Sequence, residues 1–351
     1  MKIIGIGNAL LDVLIRLDDD RTLATLGLKK GAMDLIDEST MRRIQKAQAG
    51  LERSEAPGGS VCNTMRALAR LCSRAEWSTQ HGKEIASSLA MTDDRLCADV
   101  GYIGKIGNDM AGTVYEQEIR KAGVHPYLFR TEGISGCSTV MISPDGERTM
   151  ATFLGPAGNL SDDEIADEIL QSYDCLYMEG YLIVIEPLFL PMIKRAKRMG
   201  LKVALDLSNF NIVNGYRDLL SEVIPAYVDI LFSNESEAGA FTGLPATEAI
   251  DLIAESVETA VVTVGKDGVW AKQGNRKIHD AAISKDVVDT TGAGDHFAAG
   301  FLFGYALNAS LAQSASIGSL LSGKVIETVG AQIPEEHWTQ IKLKIDAILR
   351  K

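Results

Sequence analysis

The stretch Asp289-Thr-Thr-Gly-Ala-Gly-Asp295, continued by His296-Phe-Ala-Ala-Gly-Phe-Leu302, combines a strand end, a glycine turn and an apolar helix. Gly292 and Gly294 permit backbone angles closed to bulkier residues, so successive N–H groups can converge on one point. The positive end of the following helix adds to them and makes an anion site. A carboxylate at that site, Asp295, can take a proton from a hydroxyl while the N–H groups hold the charge that develops on a phosphoryl group. The same spacing also suits a plain glycine turn capped by an aspartate, and spacing alone does not choose between the two.

Three further stretches carry groups of the right kind. In Ala56-Pro-Gly-Gly-Ser-Val-Cys-Asn63, Gly58 and Gly59 allow a backbone to approach a ligand closely. Asn63 offers a donor and an acceptor, or serves as a cap. Asn8-Ala-Leu-Leu-Asp12 follows the first strand, and Asp12 is either a ligand for hydroxyls or a polar residue on a half-exposed strand. In Phe232-Ser-Asn234-Glu-Ser-Glu237, the Asn and Glu three apart share one face of a helix start. Such a pair suits magnesium that keeps its waters before it suits ordinary helix capping.

Three motif matches fail on inspection. Gly5-Ile-Gly7 lacks the third glycine of a dinucleotide fold and runs on as strand. In Thr263-Val-Gly265-Lys-Asp267-Gly268, aspartate stands where a Walker loop needs Ser or Thr. Gly318 to Lys324 resembles the same loop but ends in Val325, inside an apolar helical pattern.

The chain has 351 residues, a formal charge of −12 and 46% hydrophobic residues, enough for a sizeable core. The acidic balance argues against nucleic acid or an anionic membrane as partner. Five cysteines, Cys62, Cys72, Cys97, Cys137 and Cys175, without a Cys-x-x-Cys pair, argue against disulfides and zinc. Neither a signal peptide nor a run long enough to span a membrane is read, so a cytoplasmic location is expected.

Residues 161 to 232 alternate apolar strands with helices, and Ser161-Asp-Asp-Glu164 opens one of them as a capping box. This pattern predicts a mostly parallel sheet covered on both faces, with ligands at the carboxyl ends of its strands. A helix is expected from Ser39 to Leu51, and a peripheral strand pair over Asp18 to Asp37. Strands are expected at Val124–Arg130 and Cys137–Ser143, and Arg148 reads first as an exposed strand arginine and only second as a contact to phosphate or sugar. Ser73 to Asp99 is a long polar connection, helical in part over Gly82 to Met91, and Glu335 to Lys351 is a terminal amphipathic helix.

Taken together, the motifs resemble those of the ribokinase (PfkB-type) kinases, nearest to the adenosine-kinase branch, from Asn8 to Ala331 and in the family's order. One departure is Val61, where ribokinases proper carry a further glycine. The resemblance implies a single α/β domain over 1–351, a three-layer α/β/α sandwich with a mostly parallel sheet. A small β lid would come from about 9–38 and 101–145. It implies Asp295 as catalytic base, with Gly292, Ala293 and Gly294 as anion hole. Asn8, Asp12, Gly58, Gly59, Asn63 and Tyr181 are implied to bind the acceptor. Asn234, Thr263, Gly265, Gly268, Ser319 and Ser322 are implied to bind ATP. Asn234 and Glu237 would hold magnesium through water, and the carbonyls of Asp289 and Thr291 potassium. The implied reaction is phosphoryl transfer from Mg-ATP to a primary hydroxyl of a nucleoside, adenosine first. The alternatives are a free sugar such as ribose or fructose and a non-catalytic nucleotide- or sugar-binding regulator. The expected partners are the small-molecule substrate and ATP, and the expected assembly a monomer or homodimer.

Overall fold

The computed structural model describes residues 1–47, 53–73, 99–145, 147–283 and 286–351. In chain order its strands are β1 (Ile3–Ile6), β2 (Leu10–Arg16), β3 (Met33–Leu35), β4 (Arg53–Gly58), β5 (Val100–Gly107), β6 (His125–Thr131), β7 (Gly136–Ile142), β8 (Arg148–Phe153), β9 (Cys175–Glu179), β10 (Lys202–Asp206), β11 (Ile230–Asn234), β12 (Thr259–Thr263), β13 (Val269–Gln273) and β14 (Arg276–Asp280). They form a nine-stranded sheet, β14-β13-β12-β11-β10-β9-β1-β5-β6, and a five-stranded sheet, β3-β8-β7-β2-β4.

β1, Ile-Ile-Gly-Ile, is buried along its whole length, as a strand covered on both faces must be. It pairs in parallel with β5 and β9, and parallel pairing continues through β10 and β11 to β12. Only β13 and β14 turn back antiparallel. One apolar cluster joins a face of this sheet to helices Ser60–Cys72, Met110–Lys121, Ala293–Ala306 and Leu311–Val325 through Met65, Ile119, Phe301 and Ile317. A second joins the opposite face to helices Phe189–Arg198, Arg217–Tyr227 and Ala246–Ile253 through Ile193, Ile224 and Ile250. The result is the expected three-layer sandwich with a smaller sheet beside it.

In the small sheet the period of two sorts β2 cleanly. Leu11, Val13 and Ile15 face a third cluster with Leu23, Leu26, Met41 and Ile44. Leu10 and Asp12 point the other way, toward the carboxyl ends of the large sheet.

Several boundaries differ from the sequence reading. β5, helix Met110–Lys121 and β6 form a strand–helix–strand unit, which returns its second strand to the same sheet in parallel. Both strands therefore lie in the large sheet, so of the range 101–145 only β7 belongs to the small sheet, which also takes β2 and β3 from 9–38 and β4 and β8 from outside both ranges. Over 18–37 a helix, Arg21–Leu26, stands in place of one expected strand. Leu23 and Leu26 supply its buried side, and Gly27 closes it at φ 74°. The next helix starts at Glu38, one residue before the expected Ser39, because the Asp37 carboxylate accepts from the Thr40 N–H at 2.7 Å. Its expected end at Leu51 lies outside the described residues, as does the helix expected over 82–91. The capping box at Ser161 and Glu164 is present but opens only a short 3-10 turn, Asp162–Glu164. Cys72 is disulfide-bonded, contrary to the expectation; an odd count and absent Cys-x-x-Cys spacing exclude neither a single bridge nor a distant partner.

Helix Ala293–Ala306 is seated closely against helix Leu311–Val325. A Cβ at Gly300 would lie 2.6 Å from the Ile317 carbonyl oxygen and 2.8 Å from the Gly318 Cα. Both are backbone atoms and cannot swing aside. Gly300→Ala should therefore destabilise the protein by about 1–3 kcal/mol, the usual range for overpacking. A chemical-denaturation midpoint equal to that of the parent would contradict this packing.

Candidate active site

A cleft of about 870 Å³ lies between the small sheet and the carboxyl ends of the parallel strands. Asn8 follows β1, Glu179 ends β9, Asp206 ends β10, Asn234 ends β11 and Thr263 ends β12, and all five line it. Asp12 and Ser138 reach it from the small sheet. Ligands in open parallel sheets bind at this edge.

Asp295 sits at the floor of the cleft, third residue of helix Ala293–Ala306. It does not cap that helix. Its carboxylate accepts from Ser60 Oγ at 2.7 Å and from Asn63 Nδ2 at 2.9 Å. Burial pushes its pKa up, and those two hydrogen bonds hold it back. Helix Ala293–Ala306 has Gly292 at its N-cap, φ 75°, and no side-chain cap. The Ala293 N–H donates to the Thr290 carbonyl at 3.2 Å. The Gly294 and Asp295 N–H groups are first-turn donors with no intrahelical acceptor. A Cβ at Gly294 would meet nothing within 4 Å, so the loop stands open to the cleft. Donors of this kind fit the phosphates of a nucleotide. The adjacent His296 is pushed down to about 4 by burial, with its Nδ1 3.0 Å from the Gly292 carbonyl oxygen, and is neutral at pH 7.

Opposite this loop, helix Ser60–Cys72 begins at Gly59 with φ 89°. A Cβ there would lie 2.2 Å from the Asn8 carbonyl oxygen. Glu179, which the sequence reading did not select, organises the neighbourhood. Its carboxylate accepts from the Asn8 N–H at 2.9 Å, Asn8 Nδ2 at 2.7 Å and the Val61 N–H at 3.3 Å. The Asn8 and Asn63 side-chain oxygens remain buried without a partner. Tyr181 borders the cleft and donates to the Ser208 carbonyl at 3.3 Å.

Asn234 and Glu237 form a capping box. The Asn234 N–H and Nδ2 donate to Glu237 at 2.9 and 2.7 Å, and the Glu237 N–H donates to Asn234 Oδ1 at 2.9 Å. Burial pushes Glu237 up to about 7, and Asp206 nearby is raised as well, first by burial and then by the Glu237 charge. Among the described residues no group of three or more His, Cys, Asp or Glu is arranged to enclose a metal ion. The Asn234–Glu237 donor set therefore fits magnesium that keeps most of its waters.

Arg148 departs from its sequence reading. It is only a quarter exposed, and its guanidinium pairs with the carboxylate of Asp289 and the hydroxyl of Thr291. Asp289 also accepts from the Thr291 N–H at 2.8 Å and the Gly330 N–H at 2.6 Å. Burial raises its pKa, but these partners outweigh burial and hold it low. A strand of the small sheet is thus tied to the start of the anion loop.

The cleft gathers thirteen of the residues selected from the sequence: Asn8, Asp12, Gly59, Asn63, Tyr181, Asn234, Glu237, Thr263 and Thr291 through Asp295, while Asp289 at the start of that loop does not line it. Gly58 packs beneath Asp12, where a Cβ would lie 2.0 Å from the carboxyl carbon. Gly265, Gly268, Ser319 and Ser322 do not line it. Ser60 sat unremarked in the Gly-Gly-Ser run, and Glu179 and Asp206 each end an apolar strand, a signal the sequence offered. The sequence offers Arg148 as a phosphate or sugar contact only in second place, and its pairing with Asp289 has no signal there.

A profile of the pfkB family carbohydrate kinases matches residues 21–338. The chain belongs to the PfkB family of carbohydrate kinases. It is 30% identical to an uncharacterized sugar kinase of Archaeoglobus fulgidus over 240 residues, 68% of this chain and 95% of that one. It is 23% identical to adenosine kinase 2 of Arabidopsis thaliana, covering 95% and 96% of the two chains. The crystal structure of adenosine kinase from Sinorhizobium meliloti superimposes with a TM-score of 0.80 at 30% identity, covering 98% of each chain. This PfkB kinase is a phosphotransferase with an alcohol group as acceptor, and ATP, typically with magnesium, is the family's co-substrate. No helix among the described residues is long and apolar enough to cross a membrane.

Asp12 and Glu179 share the cleft and are both pushed up to about 7, each first by burial; Asp295 adds to both. Between their ordinary values and 7 the folded chain holds more protons than the unfolded chain, so their contribution to stability is lost as pH rises through that window. Asp12→Asn removes one such group. The Tm difference, variant minus parent, should grow from pH 5 to pH 8 in scanning calorimetry. A difference independent of pH would show that Asp12 is not titrating there.

Proposed function

We propose that this kinase transfers the γ-phosphoryl group of ATP directly to the primary, 5′-type hydroxyl of a nucleoside, with adenosine the leading acceptor. The observation that carries the reaction is the placement of Asp295, fixed by Ser60 and Asn63 beside the open first turn of helix Ala293–Ala306. In this reading Asp295 accepts the hydroxyl proton, and its raised pKa improves it as a base. The Gly292–Gly294 backbone holds the charge of the transferring group. Asp12 and Asn63 orient the acceptor, with Asn8, Gly58 and Gly59 shaping that end of the cleft under the small sheet as lid. Mg-ATP, when bound, supplies the phosphoryl group and spreads its charge. Asn234 and Glu237 orient the ion's waters, and Thr263 borders the phosphates. Gly265 is read near the triphosphate with Thr263, Gly268 as a further contact to ATP, and Ser319 and Ser322 beside the base, although these four do not line the cleft itself. Arg148 supplies a cation beside Asp289 and Thr291 in this reading, and potassium is not carried into it. A cytoplasmic setting suits an ATP-consuming enzyme.

Two observations favour a nucleoside over a free sugar. Leu35, Val184 and Phe210 are exposed large apolar side chains, 67%, 39% and 47% accessible, and all three border the cleft. Tyr181 adds an aromatic ring to the same wall. A sugar alone would leave that wall wet, whereas a purine would cover it. The match to a sugar kinase keeps ribose or fructose as the second reading.

Asp295→Asn should lower turnover by roughly a hundred- to ten-thousand-fold, the usual effect of losing a general base, while ATP binding persists. Near-parental turnover would remove Asp295 from the role. ADP release measured with adenosine, other nucleosides, ribose and fructose decides the acceptor. Activity confined to free sugars would overturn the nucleoside, and silence with ligand binding intact would favour a regulator.

A further inference from the structure

Arg66 stands one helical turn beyond Asn63 on helix Ser60–Cys72. It does not line the main cleft but borders a separate cavity of about 370 Å³ behind it. Its Nη1 donates to the Pro57 carbonyl at 3.0 Å, and among the described residues its buried Nε–H has no acceptor. Among them, too, no carboxylate pairs with it. Burying an unmet donor is costly. A methionine would fill the same space without that cost. The arginine therefore calls for a reason other than stability.

Pro57 immediately precedes Gly58, and Gly58 is the floor on which the Asp12 carboxylate rests. In the β2–β4 pairing, Asp12 stands opposite Ala56 and Leu11 opposite Pro57. The segment that Arg66 grips is thus the segment that sets the height of Asp12. The groups facing Asp12 are Asp295 from helix Ala293–Ala306, Arg66 and Cys62 from helix Ser60–Cys72, and Cys137 from β7. Burial pushes both thiols up to about 11, so they are uncharged at pH 7. Two carboxylates therefore share this corner, with Arg66 as the cation that acts on Asp12.

We propose that Arg66 is a positioning residue for Asp12, fixing the Pro57–Gly58 floor beneath the carboxylate and setting a cation against the pair it makes with Asp295. The inference rests on the reading of Asp12 as the group that orients the acceptor. Only an ionised Asp12 can accept two hydroxyl protons at once; protonated, it becomes a donor itself.

The test compares Arg66→Met, which keeps bulk and loses charge, with Arg66→Lys, which keeps charge and loses the fork. In Arg66→Met the acid limb of kcat/KM for adenosine should move about one unit toward higher pH. KM for adenosine should rise roughly fivefold at pH 7, while KM for ATP and the Tm stay near the parent's. Arg66→Lys should return the acid limb and only part of the KM. A loss in Arg66→Met that leaves the limb in place and follows the Tm would overturn the proposal. Titration of the Asp12 carboxyl carbon by 13C NMR in the full chain needs no acceptor. A midpoint that rises in Arg66→Met and returns in Arg66→Lys supports the proposal even if adenosine is not turned over, in which case the acceptor reading alone fails. A midpoint unmoved in Arg66→Met sinks it whatever the acceptor.

Discussion

The two hydrogen bonds from Ser60 and Asn63 to the Asp295 carboxylate are the contact on which the rest of the arrangement depends. They join the starts of two helices, each opened by a glycine in a left-handed conformation, Gly59 and Gly292. The strands position the helices, the helices bring the two glycine turns face to face, and the side chains meet only then. Removing either helix from its seat against the large sheet would separate the carboxylate from both partners. The apolar cluster under the site, with Met65 from one helix and Phe297 and Phe301 from the other, therefore acts on the chemistry through packing alone.

The cleft concentrates negative charge. Asp12, Glu179, Asp206, Glu237 and Asp295 are all raised by burial, and several raise one another. Such a set disfavours its own ionisation until something positive arrives. A hydrated magnesium ion accompanying a nucleotide is suited to that field, and the N–H donors of the uncapped helix are suited to the phosphates it carries. The chain's overall charge of −12 is thus no obstacle to an anionic co-substrate, because the positive field is local.

Much of this was legible in the sequence, for reasons that can be named. Continuous apolar strands alternating with helices fixed the layers, and Gly-x-Gly before an apolar helix marked the anion loop, because both are consequences of short-range geometry. The expected lid ranges hold β2, β3 and β7 of the small sheet but not β4 and β8, because pairing partners of short strands are set by tertiary contact. β7 finds β2 and β8, whereas β6 returns to β5. The pairing of Arg148 and the place of Glu179 were missed for the same reason. One is an ordinary strand arginine until Asp289 stands opposite it, and the other is a strand-end acid until Asn8 and Val61 turn their N–H groups toward it. Asn234 and Glu237 show the converse. Their spacing was read for a cation, and the structure shows that it also closes a capping box, so spacing by itself could not separate the two uses.

The bond from Ser60 to Asp295 spans 235 residues of chain. Closing a loop of that length is slow compared with forming helices and neighbouring strands, because the entropy is lost before the contact is made. On the ribosome, β1 must also wait for β9 before it is flanked on both sides. A nascent chain can therefore assemble the strands of its amino-terminal half while Asp295 is still unsynthesised. Catalytic competence arrives last, as a property of the completed topology, and a partly made chain has no geometry with which to spend ATP.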